Sequence, residues 1–163
     1  MLFRSDNAVT VPSWQFSSFQ TPAVYKNTTL GTISVGSGLA SFPAGTVWFY
    51  PGEDGRPEKY GAIRFTVPAG REGDYRVKTV VTPVYPSDPQ GDTDFHIVLN
   101  GKEVFRKFLS PSQSSSSTLT LRLRATQPLD FLIGRGADGS AYGSGLRIQS
   151  TLTLIRLRNH GDD

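Results

Sequence analysis

The sequence predicts an all-β protein, a jelly-roll-like antiparallel β-sandwich of about eight strands with an extended N-terminal arm. Three observations predict it. Asn100-Gly101 lies between two alternating runs, Thr93–Leu99 and Lys102–Leu109. An Asn-Gly pair accepts the positive φ angles of a type I′ turn, whose twist matches that of flanking antiparallel strands. Thr118–Arg124 alternates without error, with Leu119, Leu121 and Leu123 on one face and Thr and Arg on the other. Finally, no stretch of about ten residues or more carries an apolar stripe of helical period.

Residues 1–30 mix aromatics with Ser, Thr, Gln and Pro and hold no sustained period. They read as an N-terminal arm or lid, followed by a sandwich over 31–158 and a polar tail over 159–163. Phe3, Trp14, Phe16 and Phe19 come with little charge, the composition that interface cores favour. They are the candidate partner contacts, whether the segment caps its own sandwich or docks on a neighbour.

Strands are expected from Thr32 onward. Thr32–Val35 is short and stops at Gly36; Val47–Tyr50 stops at the turn signal Pro51-Gly52. Gly61–Val67 runs into Pro68-Ala-Gly70, and Asp74–Thr82 alternates with Tyr75, Val77, Thr79 and Val81 on one face. In the Asn-Gly hairpin Phe95, Ile97 and Leu99 share a face, and Asp94, His96 and Val98 take the other. Ser110–Ser117 reads as a low-complexity loop, and Pro128–Ile133 as a strand. Gly134–Gly145 reads as a turn-rich loop, and Leu146–Leu157 as the closing strand.

With 163 residues the chain suits one domain with a proper core. Its 17 Gly and 11 Pro fit a β protein with many tight turns. The formal charge of +3 is spread without blocks of like sign, so neither nucleic acid nor a membrane is an expected partner. The absence of cysteine removes disulfides and thiolate metal sites. Met1–Asn7 lacks the apolar stretch of a secretory leader.

Phe65-Thr-Val-Pro-Ala-Gly-Arg-Glu-Gly-Asp-Tyr-Arg-Val77 resembles the aromatic-x-x-Pro-x-x-Gly-x-Tyr-x-Val segment of a group of bacterial extracellular jelly-roll domains. Asp94-Phe-His-Ile-Val-Leu-Asn-Gly101 matches their Asp-aromatic-His-Val strand and Asn-Gly turn, and Asp130-Phe131 with Gly134–Gly145 matches their later strand and loop. Tyr50-Pro-Gly52 resembles their His-Pro-Gly element, with Tyr in place of His. These domains are similar to carbohydrate-binding modules, so the resemblance implies a jelly roll and a glycan ligand. Phage capsid decoration and cement proteins are also small, leaderless, cysteine-free jelly rolls.

Catalytic signatures are weak. The histidines are His96, in mid-strand, and His160, in the tail. No nucleophile elbow accompanies them, so His96 is expected to face solvent or a neighbouring side chain and catalytic residues are expected to be none. Gly134-Arg-Gly-Ala-Asp-Gly139 matches a dinucleotide fingerprint in form only, because no helix follows it and no cofactor is expected. Asp88, Asp92 and Asp94, with Asp138, are read as solvated turn acids, with a loop calcium left open. Trp48 is expected in the core, whereas Tyr85 and Tyr142, in long loops, are the candidate glycan contacts. Asn27-Thr-Thr29 matches a glycosylation acceptor and is read as chance in a leaderless chain.

Two readings of function follow. The first is a non-enzymatic virion-surface protein, made in the host cytoplasm. It would be a homotrimeric phage capsid decoration or cement protein with sister subunits and a capsid protein as partners. The alternative is an extracellular carbohydrate-binding module or lectin-like adhesion domain.

Overall fold

The computed structural model describes residues 8–11, 23–35, 40–52, 60–86, 91–139 and 143–158. Among these, strands are the regular structure and no helix occurs. In chain order the strands are β1 (Ala8–Val11), β2 (Ala23–Asn27), β3 (Ile33–Val35), β4 (Ala40–Phe42), β5 (Val47–Tyr50) and β6 (Gly61–Phe65). Then come β7 (Gly73–Pro83), β8 (Thr93–Leu99), β9 (Lys102–Leu109), β10 (Ser115–Leu123), β11 (Leu129–Ile133) and β12 (Leu146–Leu157).

A six-stranded sheet, ordered β1-β2-β5-β12-β7-β10, faces a four-stranded one, ordered β6-β11-β8-β9; β3 and β4 form a separate pair. All pairings are antiparallel except β1 with β2. The result is a jelly-roll-like β-sandwich. Alternation builds its interior: Tyr75, Val77 and Val81 from one sheet meet Phe95, Ile97, Leu129, Phe131 and Ile133 from the other. Leu123 is buried among them, and Leu119 and Leu121 pack against the same cluster as expected. The β8–β9 hairpin closes through Asn100 at φ 49° and Gly101 at φ 80°, the double positive φ that selects Asn-Gly.

A second apolar cluster lies behind β5. Phe49 points into the main core, so Trp48 and Tyr50 point the other way and pack with Tyr25, Phe42 and Val84. Phe42 and Trp48 stack with ring centroids 4.0 Å apart. Asn27 is fully buried beside them; its amide donates to Phe42 O at 2.7 Å and its Oδ1 accepts from Thr29 N at 2.9 Å. The Asn27 side chain therefore serves the fold: both hydrogens of its amide nitrogen are used, on Phe42 O and Gly31 O, and a glycan on that nitrogen would displace one of these bonds.

Four strands depart from the sequence reading. β1 and β2 lie within the first thirty residues, where no period announces them, and β4 is a further short strand. β10 starts at Ser115, inside the expected Ser-rich loop, because Ser115–Ser117 pair with Val81–Thr79 of β7. In each case a neighbour imposes the extended backbone. Phe3, Trp14, Phe16 and Phe19 lie outside the described residues, as do Tyr142, Asp88 and the 159–163 tail.

Candidate functional site: a charged pocket on the four-stranded sheet

The site grows from the outward positions of β8 and β9. The strand period sends Asp94 and His96 outward on β8. On β9 the register runs Asp94↔Phe108, His96↔Arg106 and Ile97↔Phe105, then slips so that Val98 faces Glu103. The extra residue of this bulge is Val104, and Val104 and Phe105 both pack on the core. Without the slip Glu103 would share the inward phase of Phe105. With it, Glu103 turns outward to His96, a re-aiming that β-bulges commonly perform.

His96 is clamped between two acids. Its Nδ1 lies 2.6 Å from Glu103 Oε2 and its Nε2 lies 2.6 Å from Asp94 Oδ2. Only the imidazolium donates through both nitrogens, so the geometry favours the protonated ring. Burial opposes the charge on His96, but the hydrogen bonds to Asp94 and Glu103 outweigh it and raise the pKa. Burial likewise opposes the Asp94 carboxylate, but bonds from His96 and from Gly136 N–H prevail and lower its pKa. Tyr60 stands edge-on to the imidazole with centroids 5.5 Å apart. Burial raises its hydroxyl pKa, and the nearby Asp94 and Glu103 charges add to the effect.

The loop over 134–139 closes one side. Gly134 N donates to Asp94 O at 2.8 Å and Gly136 N donates to Asp94 Oδ1 at 2.7 Å. Ala137 N donates to Asp92 Oδ2 at 2.9 Å. A Cβ on Gly134 would strike the Asp94 carboxylate, and Gly136, at φ 73°, would bring its own onto Asp92. Arg135 is buried and donates to Gly52 O at 2.8 Å from Nε, tying the loop to the end of β5. Between loop and sheet lies an open pocket of about 390 Å³, walled by Tyr60, Asp94, His96, Arg106, Phe108 and the loop. Phe108 is 48% exposed, a large ring left uncovered at its rim.

This arrangement offers hydrogen-bond acceptors on Asp94 and Glu103, a donor on Arg106, and two rings for apolar faces. Both nitrogens of His96 are engaged by carboxylates, so neither is open to take a proton from a nucleophile. His96 thus faces neighbouring side chains, one of the two placements its sequence position allowed. Asp92 and Asp94 are not the solvated turn acids of the sequence reading. They accept backbone N–H groups and hold the glycine loop in place. Burial raises the Asp92 pKa, and the adjacent Asp138 carboxylate contributes. Among the described residues no group of three or more His, Asp or Glu side chains is arranged to hold a metal ion.

Tyr85 is partly buried against the Trp48–Tyr50 cluster, apart from the pocket. Trp48 is fully buried. Tyr60 is one of the aromatics the sequence offers for sugar stacking, whereas Glu103, Arg106, Phe108 and Arg135 are not marked by the sequence as binding residues. The signal for Asp94 and His96 was present in their shared outward phase. The others reach the pocket through a bulge or through long-range pairing.

Comparison with known proteins gives fold likeness at low identity. No protein-family model matches the chain, and no curated protein matches it significantly. Among solved structures, the chain is similar to the CBM51 module of Clostridium perfringens GH95 in complex with methyl-galactose. The TM-score is 0.51 at 14% identity, over 80% of this chain and 87% of that one. It is also similar to part of Clostridium perfringens ZmpB, a structure holding a catalytic domain with two CBM51 domains. There the TM-score is 0.51 at 9% identity, over 69% of this chain but only 11% of the other. What these likenesses establish is the fold, a jelly-roll sandwich of the kind seen in carbohydrate-binding modules.

Proposed function

We propose that the protein binds glycans without transforming them, using the pocket on the outer face of the four-stranded sheet. One observation carries the reading: Asp94, His96, Arg106 and Phe108 converge on a pocket sized for a sugar unit or two, and Glu103 braces His96. Carboxylates accept from sugar hydroxyls, the guanidinium donates to ring or hydroxyl oxygens, and the Phe108 and Tyr60 rings cover apolar sugar faces. His96 acts as a positioning residue, fixing both acids for the ligand.

The fold likeness to carbohydrate-binding modules favours this reading over the virion one. It also supports an extracellular setting, where such modules work. The capsid-decoration reading, with its trimer and capsid partner, takes its contact residues from Phe3, Trp14, Phe16 and Phe19, which lie outside the described residues.

The test is a glycan array followed by titration calorimetry, with methyl-galactose as the first probe because a similar module binds it. Saccharide binding by the wild type is expected, with a loss of about tenfold or more in Phe108→Ala and His96→Ala, as for removal of a buried contact worth over 1.4 kcal/mol. An array blank for every glycan would sink the reading. So would binding that both variants retain in full.

A further inference from the structure

The six-stranded sheet carries a second outward surface of opposite chemistry. β10, β7 and β12 pair in continuous register through its middle, so their outward residues form rows. Along β7 these residues are Arg76, Lys78, Val80 and Thr82. Successive outward residues of a strand stand about 6.8 Å apart, so this line runs roughly 20 Å. Arg76 is flanked by Thr120 and Thr153, and Lys78 by Thr118 and Thr151, all of them exposed. Each cation therefore stands between two hydroxyls. Asp74 is the carboxylate among the outward residues of these strands, and Arg158 already pairs with it at 2.9 Å.

At its far end the line opens into a groove. β5 pairs with β12 only at Leu146 and Arg147, and the chain from Ala44 to Val47 then stands away from β12. The space left is about 570 Å³, walled by that turn and by Val80, Thr82, Arg147 and Gln149, with no acidic side chain among the described residues of the wall. Arg147 pairs with Thr82 across the strands and lays its guanidinium over Phe42, 5.8 Å from the ring centroid. Its buried Nε has no hydrogen-bond partner. Stacking on Phe42 thus holds the guanidinium at the groove without neutralising its charge.

We propose that this face binds an anionic polysaccharide, laid along β7 with one end in the groove at Arg147. A row of cations set among hydroxyls suits a polymer that alternates acidic groups with sugar hydroxyls. Guanidinium forks pair with carboxylate or sulfate oxygens in bidentate geometry. Single-stranded nucleic acid is the poorer match, because it needs rings for base stacking and these rows present none. The site is independent of the pocket on the other sheet, so either could fail alone.

The test measures binding of the full chain to polygalacturonate, dextran sulfate, neutral dextran and oligo(dT) at physiological salt. Binding to polygalacturonate or dextran sulfate, which separate carboxylate from sulfate, is expected, with neutral dextran inert and oligo(dT) clearly weaker. Arg76→Glu/Lys78→Glu and, separately, Arg147→Gln should each lower that affinity about tenfold or more, as expected for lost charge-assisted contacts. The double variant changes exposed side chains only, so its circular dichroism and its saccharide binding at the Phe108 pocket should match the wild type. Absence of binding to both polyanions would overturn the proposal. Equal or tighter binding of oligo(dT) would overturn it too, as would variants that bind like the wild type.

Discussion

The outer faces of the two sheets differ far more than their inner ones. Inside, both sheets contribute the same materials, Phe, Leu, Ile and Val at every second position. Outside, the four-stranded sheet gathers acids around His96, with Arg64 held to the buried Asp130 at 2.7 Å beside them. The six-stranded sheet instead turns out Arg76, Lys78 and Arg147 among threonines. A strand has a period of two, so each strand commits one set of side chains to folding and leaves the other set available for chemistry. The faces can therefore diverge without disturbing the interior they share.

The largest effect should come from breaking that shared interior. Phe95 is 1% exposed and lies directly beneath the clamp residues Asp94 and His96. Phe95→Ala should cost about 3–5 kcal/mol, as truncation of a buried aromatic does. A urea titration should show a clearly lower midpoint, and both faces should lose ligand binding together on warming. An unchanged midpoint would mean that the inner and outer assignments of β8 are wrong.

A narrower break should separate the faces. Gly134→Ala forces a Cβ against the Asp94 carboxylate, which must give up its bonds to His96 or Gly136. Leaving such groups unpaired costs about 1–3 kcal/mol. Saccharide binding at the pocket should fall while the basic face stays intact. If pocket binding survives, Asp94 does not need its present position, and the clamp is not what organises the site.

Much of this was legible in the sequence, and what was not has a physical cause. The hairpin strands came out at their observed bounds because Asn100-Gly101 is local turn chemistry and the alternation around it is strict. β1, β2 and β4 were not legible, since strands of three to five residues show almost no period. Ser115–Ser117 has no apolar signal of its own, and its partner β7 makes it a strand. At the site, alternation alone put Asp94 and His96 on one face. Glu103 needed the slip at Val98, which no local pattern marks, and Tyr60 and Arg135 arrive from distant segments. The glycine loop was readable as turns, but its role in holding Asp94 depends on tertiary contact.

The smallest effect concerns pH, and it would sharpen the comparison by touching one face only. The folded pKa of His96 lies above its ordinary 6.5, so its contribution to stability is fully present below 6.5 and is lost as pH rises through the raised value. The folded pKa of Asp94 lies below its ordinary 3.8, so its contribution is present above 3.8 and fades as pH falls through the lowered value. The clamp is thus strongest between about 4 and 6.5. Glu103 is half exposed in the clamp, so solvent keeps its share below about 1 kcal/mol. His96→Gln removes the titrating group, so the gap in urea midpoint between wild type and variant should be widest near pH 6. It should narrow steadily towards pH 9, while Arg76→Gln on the other face should show no such trend. A gap that stays constant across that range would mean the imidazole is neutral throughout, and the two carboxylates would then need another account of their 2.6 Å approach.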